Sequence, residues 1–213
     1  MAIRLIIFDI DETLVSSKQS IINSFDYALE SIGIKAREEK IISKIGFPLK
    51  RAFELILGDK KELADSLVKK YRERYLKKCV GETSIFPGVK ETLEYLRNKG
   101  IRMAVATTKH VEMSVILLKG LGIDDYFEMI VGEGDYHHEK PDPESLYVIM
   151  EKLGISPQET LMVGDTVYDI EAGKLAGTKT CAVTYGIDSR KELEEYGPDF
   201  VVDKFDELKK IIS

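Results

Sequence analysis

Short apolar runs that alternate with amphipathic stretches constrain the fold of this chain more than any other feature. Six runs have the continuous apolar character of buried strands: Ile3–Phe8, Ile101–Ala106, Glu128–Val131, Thr160–Val163, Thr180–Val183 and, more weakly, Phe200–Val202. Helical patterns lie between or after them: Gly88–Lys99, His110–Lys119, Pro143–Leu153, Thr166–Ala176 and Lys204–Ile212. This alternation predicts an α/β fold with a doubly wound parallel sheet that helices cover on both faces.

The segment of residues 15–82 departs from this alternation. It has no good strand pattern, but apolar residues recur on one face of a helix at Ile22, Phe25 and Leu29, and later at Leu67 and Tyr71. We therefore predict an α-helical cap domain at 15–82, inserted into a core domain formed by 1–14 and 83–213. Because the insertion leaves the sheet at the C-terminal end of the first strand, it can cover the residues exposed there.

Charge and hydropathy limit the classes of partner. The 213 residues include 31 Lys and Arg against 37 Asp and Glu, and the net charge of −6 argues against general nucleic-acid binding. No stretch approaches the roughly 18 apolar residues of a membrane span. Acidic residues directly follow the apolar N-terminal run, which is not the pattern of a secretory signal. Cys79 and Cys181 form neither a metal-type spacing nor a disulfide framework. We expect a cytoplasmic monomer or homodimer without nucleic-acid or membrane partners.

Polar residues follow the predicted strands at the edge where an open parallel sheet binds its ligands. They are Asp9 and Asp11 after the first strand, Thr107 and Thr108 after the second, Lys140 before the helix at Pro143, and Asp165 and Asp169 after the fourth. Because the carboxyl ends of parallel strands lie at one edge, these side chains are expected to converge.

Four carboxylates at one edge would repel each other unless a cation lay among them. Mg²⁺ is the natural candidate, since it accepts a few protein oxygens and keeps its remaining waters. Lys140 and Thr107 could then hold the oxygens of a phosphate group. One aspartate of the Asp9-x-Asp11 pair could attack phosphorus while the other transfers protons. The spacing leaves open which aspartate attacks.

Four motifs in order resemble those of the haloacid dehalogenase superfamily. They are Asp9-x-Asp11-x-Thr13, Thr107 after an apolar strand, Lys140-Pro141 and Gly164-Asp165-x-x-x-Asp169. The segments 45–49 (IGFPL) and 86–89 (FPGV), with the tail from Tyr185-Gly186 to Asp203, are similar to the phosphoglycolate phosphatase branch. The resemblance covers essentially the whole chain.

This resemblance implies a Rossmann-like core and a role for each motif residue. Asp9 would be the nucleophile and a metal ligand, and Asp11 the general acid and base, with its backbone carbonyl on the metal. Thr107 and Lys140 would bind phosphate, with Thr108 as a further candidate. Asp165 would bind Mg²⁺ directly, and Asp169 directly or through water.

The sequence departs from the family pattern at two positions. Glu12 stands where Gly is most common, and Thr108 where this branch often has Asn. Both departures concern the choice of substrate more than the chemistry. The presence of Asp11 favours phosphoryl transfer, since dehalogenases typically lack the second aspartate.

We expect a Mg²⁺-dependent phosphatase that hydrolyses a small phosphorylated metabolite, with phosphoglycolate as the first candidate. Inorganic pyrophosphate and sugar phosphates, the latter including a mutase reaction, are alternatives. A non-catalytic phospho-acceptor module is the alternative from another class. Lys44, Lys50 and Arg51 are candidate contacts for the far end of the substrate, whereas His137 and His138 are expected to bind no metal.

Overall fold

The computed structural model describes residues 2–212, and its strands form two sheets. Within this range the strands are β1 (Leu5–Phe8), β2 (Val15–Ser16), β3 (Ser84–Ile85), β4 (Arg102–His110), β5 (Met129–Glu133), β6 (Thr160–Gly164), β7 (Lys179–Val183) and β8 (Phe200–Val202). The large sheet has the order β5-β4-β1-β6-β7-β8, and every pairing in it is parallel.

The α-helices separate the strands along the chain. In the described residues they are α1 (Lys18–Glu30), α2 (Glu38–Ile42), α3 (Leu49–Leu57), α4 (Ala64–Lys78), α5 (Val89–Asn98), α6 (Val111–Leu121), α7 (Glu144–Leu153), α8 (Val167–Ala176), α9 (Arg190–Glu195) and α10 (Leu208–Ile211). None of these helices combines the length and apolar character that a membrane crossing requires.

Strand β1 lies at the centre of the large sheet, where its residues are fully buried. Leu5 is in register with Arg102 of β4 and with Thr160 of β6. Ile6 and Phe8 belong to the apolar core on one face, and Leu5 and Ile7 to the core on the other. This two-sided burial explains the uninterrupted apolar run and confirms the predicted doubly wound α/β fold.

Helices α1 to α4 occupy the stretch between β2 and β3. They pack around an aromatic cluster in which Phe25 contacts Phe53 and Tyr71, and Tyr71 stacks on Tyr75. We call residues 15–82 the cap segment; its status as a separate domain remains a prediction. The view that this segment holds no strand is wrong at Val15–Ser16, which pairs with Ser84–Ile85. Two residues are too few to show an alternating pattern.

Two other elements differ from the prediction. Strand β4 continues to His110, so Thr107 and Thr108 lie within its irregular end, where the register with β5 shifts after Ala106. The predicted helix Lys204–Ile212 is a 3₁₀ turn, Phe205–Glu207, followed by the short α10.

Candidate active site

The ends of β1, β4 and β6 surround a cavity of about 20 Å³. All seven residues predicted for the site line it: Asp9, Asp11, Thr107, Thr108, Lys140, Asp165 and Asp169. Ile45 and Gly46 of the cap segment close the opposite side. This volume suffices for at least one water molecule or one ion.

Lys140 joins two of the acids. Its ammonium donates to Oδ1 of Asp9 (2.8 Å), to Oδ1 of Asp169 (2.5 Å) and to the carbonyl of Ala106 (3.1 Å). Burial alone would lower the pKa of Lys140, but the Asp169 and Asp9 carboxylates outweigh it and raise the pKa above its ordinary value. Lys140 is therefore a fixed positive charge at the floor of the cavity.

The carboxyl groups of Asp9 and Asp165 are buried together. Burial raises the pKa of Asp9 to about 7, against the opposing effect of Lys140. Burial also raises the pKa of Asp165 well above its ordinary value, and the charges of Asp169 and Asp9 add to the shift. Both groups would ionise more readily beside a cation.

Hydrogen bonds fix the two acids that follow β6. The Asp165 carboxylate accepts from the Thr13 hydroxyl (2.6 Å) and from the backbone N–H of Ile187 (2.8 Å). Asp169 accepts from the backbone and hydroxyl of Thr166 in a capping box at the start of α8. Asp169 is thus a buried residue, although its sequence position one turn into a helix is more typical of a solvated one.

Asp11 lies closer to the cap segment than the other acids. Its Oδ1 accepts from the hydroxyl of Ser17 (2.6 Å) and from the ammonium of Lys109 (2.5 Å). Asp11 lines both the acidic cavity and a second cavity beneath the cap segment. It therefore lies between the two cavities.

Thr107 and Thr108 end β4 without capping the next helix. Thr107 is buried; its hydroxyl accepts from the backbone N–H of Lys109 (3.2 Å), and its carbonyl accepts from Tyr136 (3.0 Å). His110 is the residue that caps α6, because its ring nitrogen accepts from Glu112 (3.3 Å). The threonines line the acidic cavity beside Lys140.

Glu12, the departure from the family pattern, has a structural explanation. Its backbone is left-handed, with φ of 60°, which explains why glycine suits this position. The buried Glu12 carboxylate accepts from the backbone N–H groups of Ser17 and Lys18 at the start of α1. This capping interaction offsets the backbone strain and holds the Asp11 turn against the cap segment.

The second cavity, of about 50 Å³, lies between the core and the cap segment. Its lining includes Lys44, together with Lys109 and His110 of the core. Lys50 and Arg51 are exposed outside it; Lys50 pairs with Asp65 and Arg51 with Glu54. Of the three cap cations considered from sequence, only Lys44 is placed to meet a ligand in this cavity.

A surface group of residues also has metal-binding side chains. Ligand atoms of His138, Asp142 and Glu144 lie within 4.8 Å of one another. Glu144 already accepts from the backbone N–H groups of His137 and His138, and Asp142 caps the start of α7. These hydrogen bonds within the loop before α7 explain why the three side chains lie close together.

The acidic cavity suits a hard divalent cation. Asp9, Asp165 and Asp169 are buried together with Lys140, which bonds Asp9 and Asp169; if all three carboxylates were ionised, this lysine would compensate only one of the three negative charges. Carboxylate oxygens are the ligands that Mg²⁺ prefers, and the cavity has the volume for one ion. The residues present therefore fit such a metal.

The sequence indicates to different degrees the residues that support the acids of the site. Thr13 belongs to the first motif, so its position was visible in the sequence, but its bond to Asp165 spans 152 residues. Lys109 directly follows the two threonines, yet nothing in the pattern pairs it with Asp11. The Ile187 N–H has no side-chain signature at all.

The fold and the site together define the class: an α/β protein with an acid-lined, lysine-containing centre at the carboxyl ends of its strands. The sequence model described as haloacid dehalogenase-like hydrolase matches residues 6–183. The chain belongs to this family, which confirms the resemblance drawn from the four motifs, and it is an enzyme of the hydrolase class.

The chain is similar over its whole length to named relatives. It is 35% identical to a phosphoglycolate phosphatase of Aquifex aeolicus, covering 99% of this chain and 97% of the relative. It is 32% identical to a pyrophosphatase, PpaX, of Oceanobacillus iheyensis, covering 100% and 98%. A crystal structure of a predicted phosphatase from Clostridium acetobutylicum superimposes with a TM-score of 0.90 at 28% identity, covering 100% and 99%.

Proposed function

We propose that this protein is a Mg²⁺-dependent phosphatase that hydrolyses a small phosphomonoester through an aspartyl-phosphate intermediate on Asp9. The observation that carries the proposal is the pairing of buried Asp9 with Lys140 beside a second, differently placed carboxylate, Asp11. The phosphatase names of full-length relatives support the same reaction.

In the proposed reaction, Asp9 attacks phosphorus and the bond to the leaving oxygen breaks. Asp11 gives its proton to that oxygen, and then takes a proton from the water that hydrolyses the acyl phosphate. Lys140, Thr107 and Thr108 neutralise and orient the phosphate oxygens. Asp9, Asp165, Asp169 and the carbonyl of Asp11 would hold Mg²⁺, which supplies positive charge against the phosphate.

The cavity beneath the cap segment supports a small leaving group. A volume of about 50 Å³ and the half-buried Lys44 suit a short anionic group such as glycolate. The same features suit the second phosphate of inorganic pyrophosphate, and several relatives are named pyrophosphatases. Pyrophosphate is therefore the second candidate, ahead of the bulkier hexose phosphates and a mutase reaction.

Hydrolase family membership favours an enzyme over the phospho-acceptor module. The acidic net charge and the small cavities support a phosphorylated metabolite as the partner instead of nucleic acid. A cytoplasmic location and a monomer or homodimer remain the expectation from composition.

A panel of phosphoesters tests the proposal. Phosphate release from phosphoglycolate, pyrophosphate, hexose phosphates and p-nitrophenyl phosphate is measured with Mg²⁺ and with EDTA. We expect Mg²⁺-dependent release that Asp9→Asn abolishes, with phosphoglycolate or pyrophosphate preferred. Release from none of these compounds, or undiminished release with EDTA, would refute it; chloride release from a 2-haloacid would indicate a dehalogenase instead.

A further inference from the structure

Lys109 connects the catalytic core to the cap segment through two short hydrogen bonds. Its ammonium donates to Oδ1 of Asp11 and to the phenolic oxygen of Tyr75, each at 2.5 Å. The ammonium also lies 4.6 Å from the centre of the Tyr75 ring. Asp11 follows β1, Lys109 lies near the end of β4 and Tyr75 belongs to α4, so one side chain joins three elements.

We propose that Lys109 is a positioning residue that aligns the Asp11 carboxyl group for proton transfer. Because Lys109 also bonds Tyr75, this alignment depends on the position of α4 against the core. The inference rests on the proposed function, in which Asp11 protonates the leaving group. It assigns Lys109 a role in orienting Asp11 and not in binding the phosphate.

The geometry at Asp11 favours this role. Proton transfer needs the donor within hydrogen-bond reach of the leaving oxygen, so the orientation of the Asp11 carboxyl group matters for the proposed reaction. Ser17 and Lys109 both bond Oδ1, which orients the carboxyl plane and leaves Oδ2 for the substrate. Asp11 lines both cavities, which places it where the bridging oxygen of a phosphoester that spans them would lie.

Tyr75 is a rigid anchor for Lys109. Its side chain is fully buried and stacks on Tyr71 at 5.6 Å between ring centres. Burial raises the pKa of Tyr75 well above its ordinary value, so the phenol is neutral and its oxygen can accept from the ammonium. If α4 moved away, Lys109 would lose this acceptor.

Leaving groups of different basicity separate alignment of Asp11 from phosphate binding. An alkyl phosphate releases a strongly basic alkoxide and needs a proton from Asp11 while its bond to phosphorus breaks. p-Nitrophenyl phosphate releases a weakly basic phenolate that departs without a proton. Substitution of a residue that positions the acid should therefore slow turnover of the alkyl phosphate. It should hardly change the rate at which p-nitrophenyl phosphate phosphorylates the enzyme.

The experiment compares Lys109→Met and Tyr75→Phe with the wild type and with Lys119→Met, which removes an exposed lysine of α6. It measures alkyl phosphate turnover and the pre-steady-state burst of p-nitrophenol. For Lys109→Met we expect a loss in kcat of at least about 100-fold with the alkyl phosphate, and a burst rate within about threefold of wild type. For Tyr75→Phe, which removes only an acceptor, we expect a loss of roughly three- to tenfold with the alkyl phosphate.

The controls make a purely structural role visible. Thermal unfolding identifies any variant that does not fold; Tyr75→Phe then carries the test, because it keeps the buried ring. Equal losses with both substrates, or a rise in KM for both with kcat unchanged, would overturn the role of Lys109, since it would then bind phosphate or support the fold. A wild type inactive on both substrates would refute the proposed function itself and the inference with it.

Discussion

At the scale of single residues, the acids of the site divide into two environments. Asp9, Asp165 and Asp169 lie around Lys140 in a buried cavity, whereas Asp11 contacts Ser17 and Lys109 at the edge of the cap segment. The two aspartates of the first motif therefore have separate hydrogen-bond partners and separate positions, as two different roles in one reaction require.

Lys44 is the residue for which the structure suggests a specificity test. We expect Lys44→Met to raise KM for phosphoglycolate about tenfold, because it removes one charged hydrogen bond to the glycolate carboxylate. KM for p-nitrophenyl phosphate, which has no such carboxylate, should hardly change. Steady-state kinetics with both substrates measure the difference.

Lys50→Met is the matched control for this prediction. Lys50 is also a lysine of the cap segment, but it pairs with Asp65 at the surface and lies outside the cavity lining. Its substitution should leave both KM values unchanged. An equal effect of the two substitutions would show that the charge of the cap segment, and not contact by Lys44, governs binding.

Residues directly after strands were predictable from sequence, and their supporting partners were not. Asp9, Lys140 and Asp165 converge because parallel strands end at one edge, a property of the fold class. The direction in which Lys50 points depends instead on how α3 packs on α4. The Lys109–Tyr75 hydrogen bond depends on how α4 approaches β4. Sequence periodicity contains no information on such tertiary contacts.

At the scale of elements, the loop after β7 supports Asp165, a ligand of the proposed metal site. Gly186 packs so closely on Asp165 that a Cβ atom at Gly186 would lie 2.2 Å from the Cβ of Asp165. The next residue, Ile187, donates its backbone N–H to the Asp165 carboxylate. Glycine is therefore required to bring this loop against the carboxylate.

Gly186→Ala should displace Asp165 and weaken Mg²⁺ binding by roughly 10- to 100-fold, as is typical when groups that orient a metal ligand are disturbed. Calorimetric titration with Mg²⁺ measures the affinity. Gly81→Ala is the control, since a Cβ at Gly81 meets nothing within 4 Å. Wild-type affinity in Gly186→Ala would contradict the role given to this loop.

Two errors of the sequence interpretation also belong to this scale. The ribbon of β2 and β3 consists of two residues on each side and follows from the proximity of the ends of the cap segment. Helix α9 was overlooked, although Ser189 and Glu192 form a capping box whose Ser-x-x-Glu spacing stands in the sequence. Periodicity could not reveal the ribbon, whereas the capping-box spacing could have revealed the helix.

At the scale of the whole molecule, the buried acids make the stability of the fold depend on pH and on metal binding. The pKa of Asp9 rises from an ordinary 3.8 to about 7 in the folded protein without metal. Between these values the folded state holds a proton that the unfolded state has released, so stability falls as the pH rises through this range. Mg²⁺ favours the ionised carboxylates and should restore the loss.

We therefore expect Mg²⁺ to raise Tm more at about pH 8 than at about pH 5, where it competes with protons. Thermal unfolding in EDTA and in excess Mg²⁺ measures both values, with NaCl at matched ionic strength as the control. The Tm without metal should be lower at the higher pH, and Asp9→Asn should reduce this difference. A Mg²⁺ effect of equal size at both pH values would contradict the coupling.

The cap segment and the core also meet through contacts outside the site. Arg72 of α4 pairs with Glu133 at the end of β5 (2.8 Å), and Phe47 packs edge-on against Tyr168 of α8. These contacts, with Lys109 and Tyr75, hold the cap segment over the acidic cavity.

The central claim is that Asp9 attacks phosphorus, and chemical trapping tests it most directly. Enzyme is acid-quenched during turnover of p-nitrophenyl phosphate with Mg²⁺, and borohydride reduces any acyl phosphate to an alcohol before digestion and mass spectrometry. The proposed mechanism predicts reduction at Asp9, increased in Asp11→Asn because hydrolysis of the intermediate is slowed. Reduction at Asp11 or Asp165, or at no aspartate while phosphate is released, would contradict it.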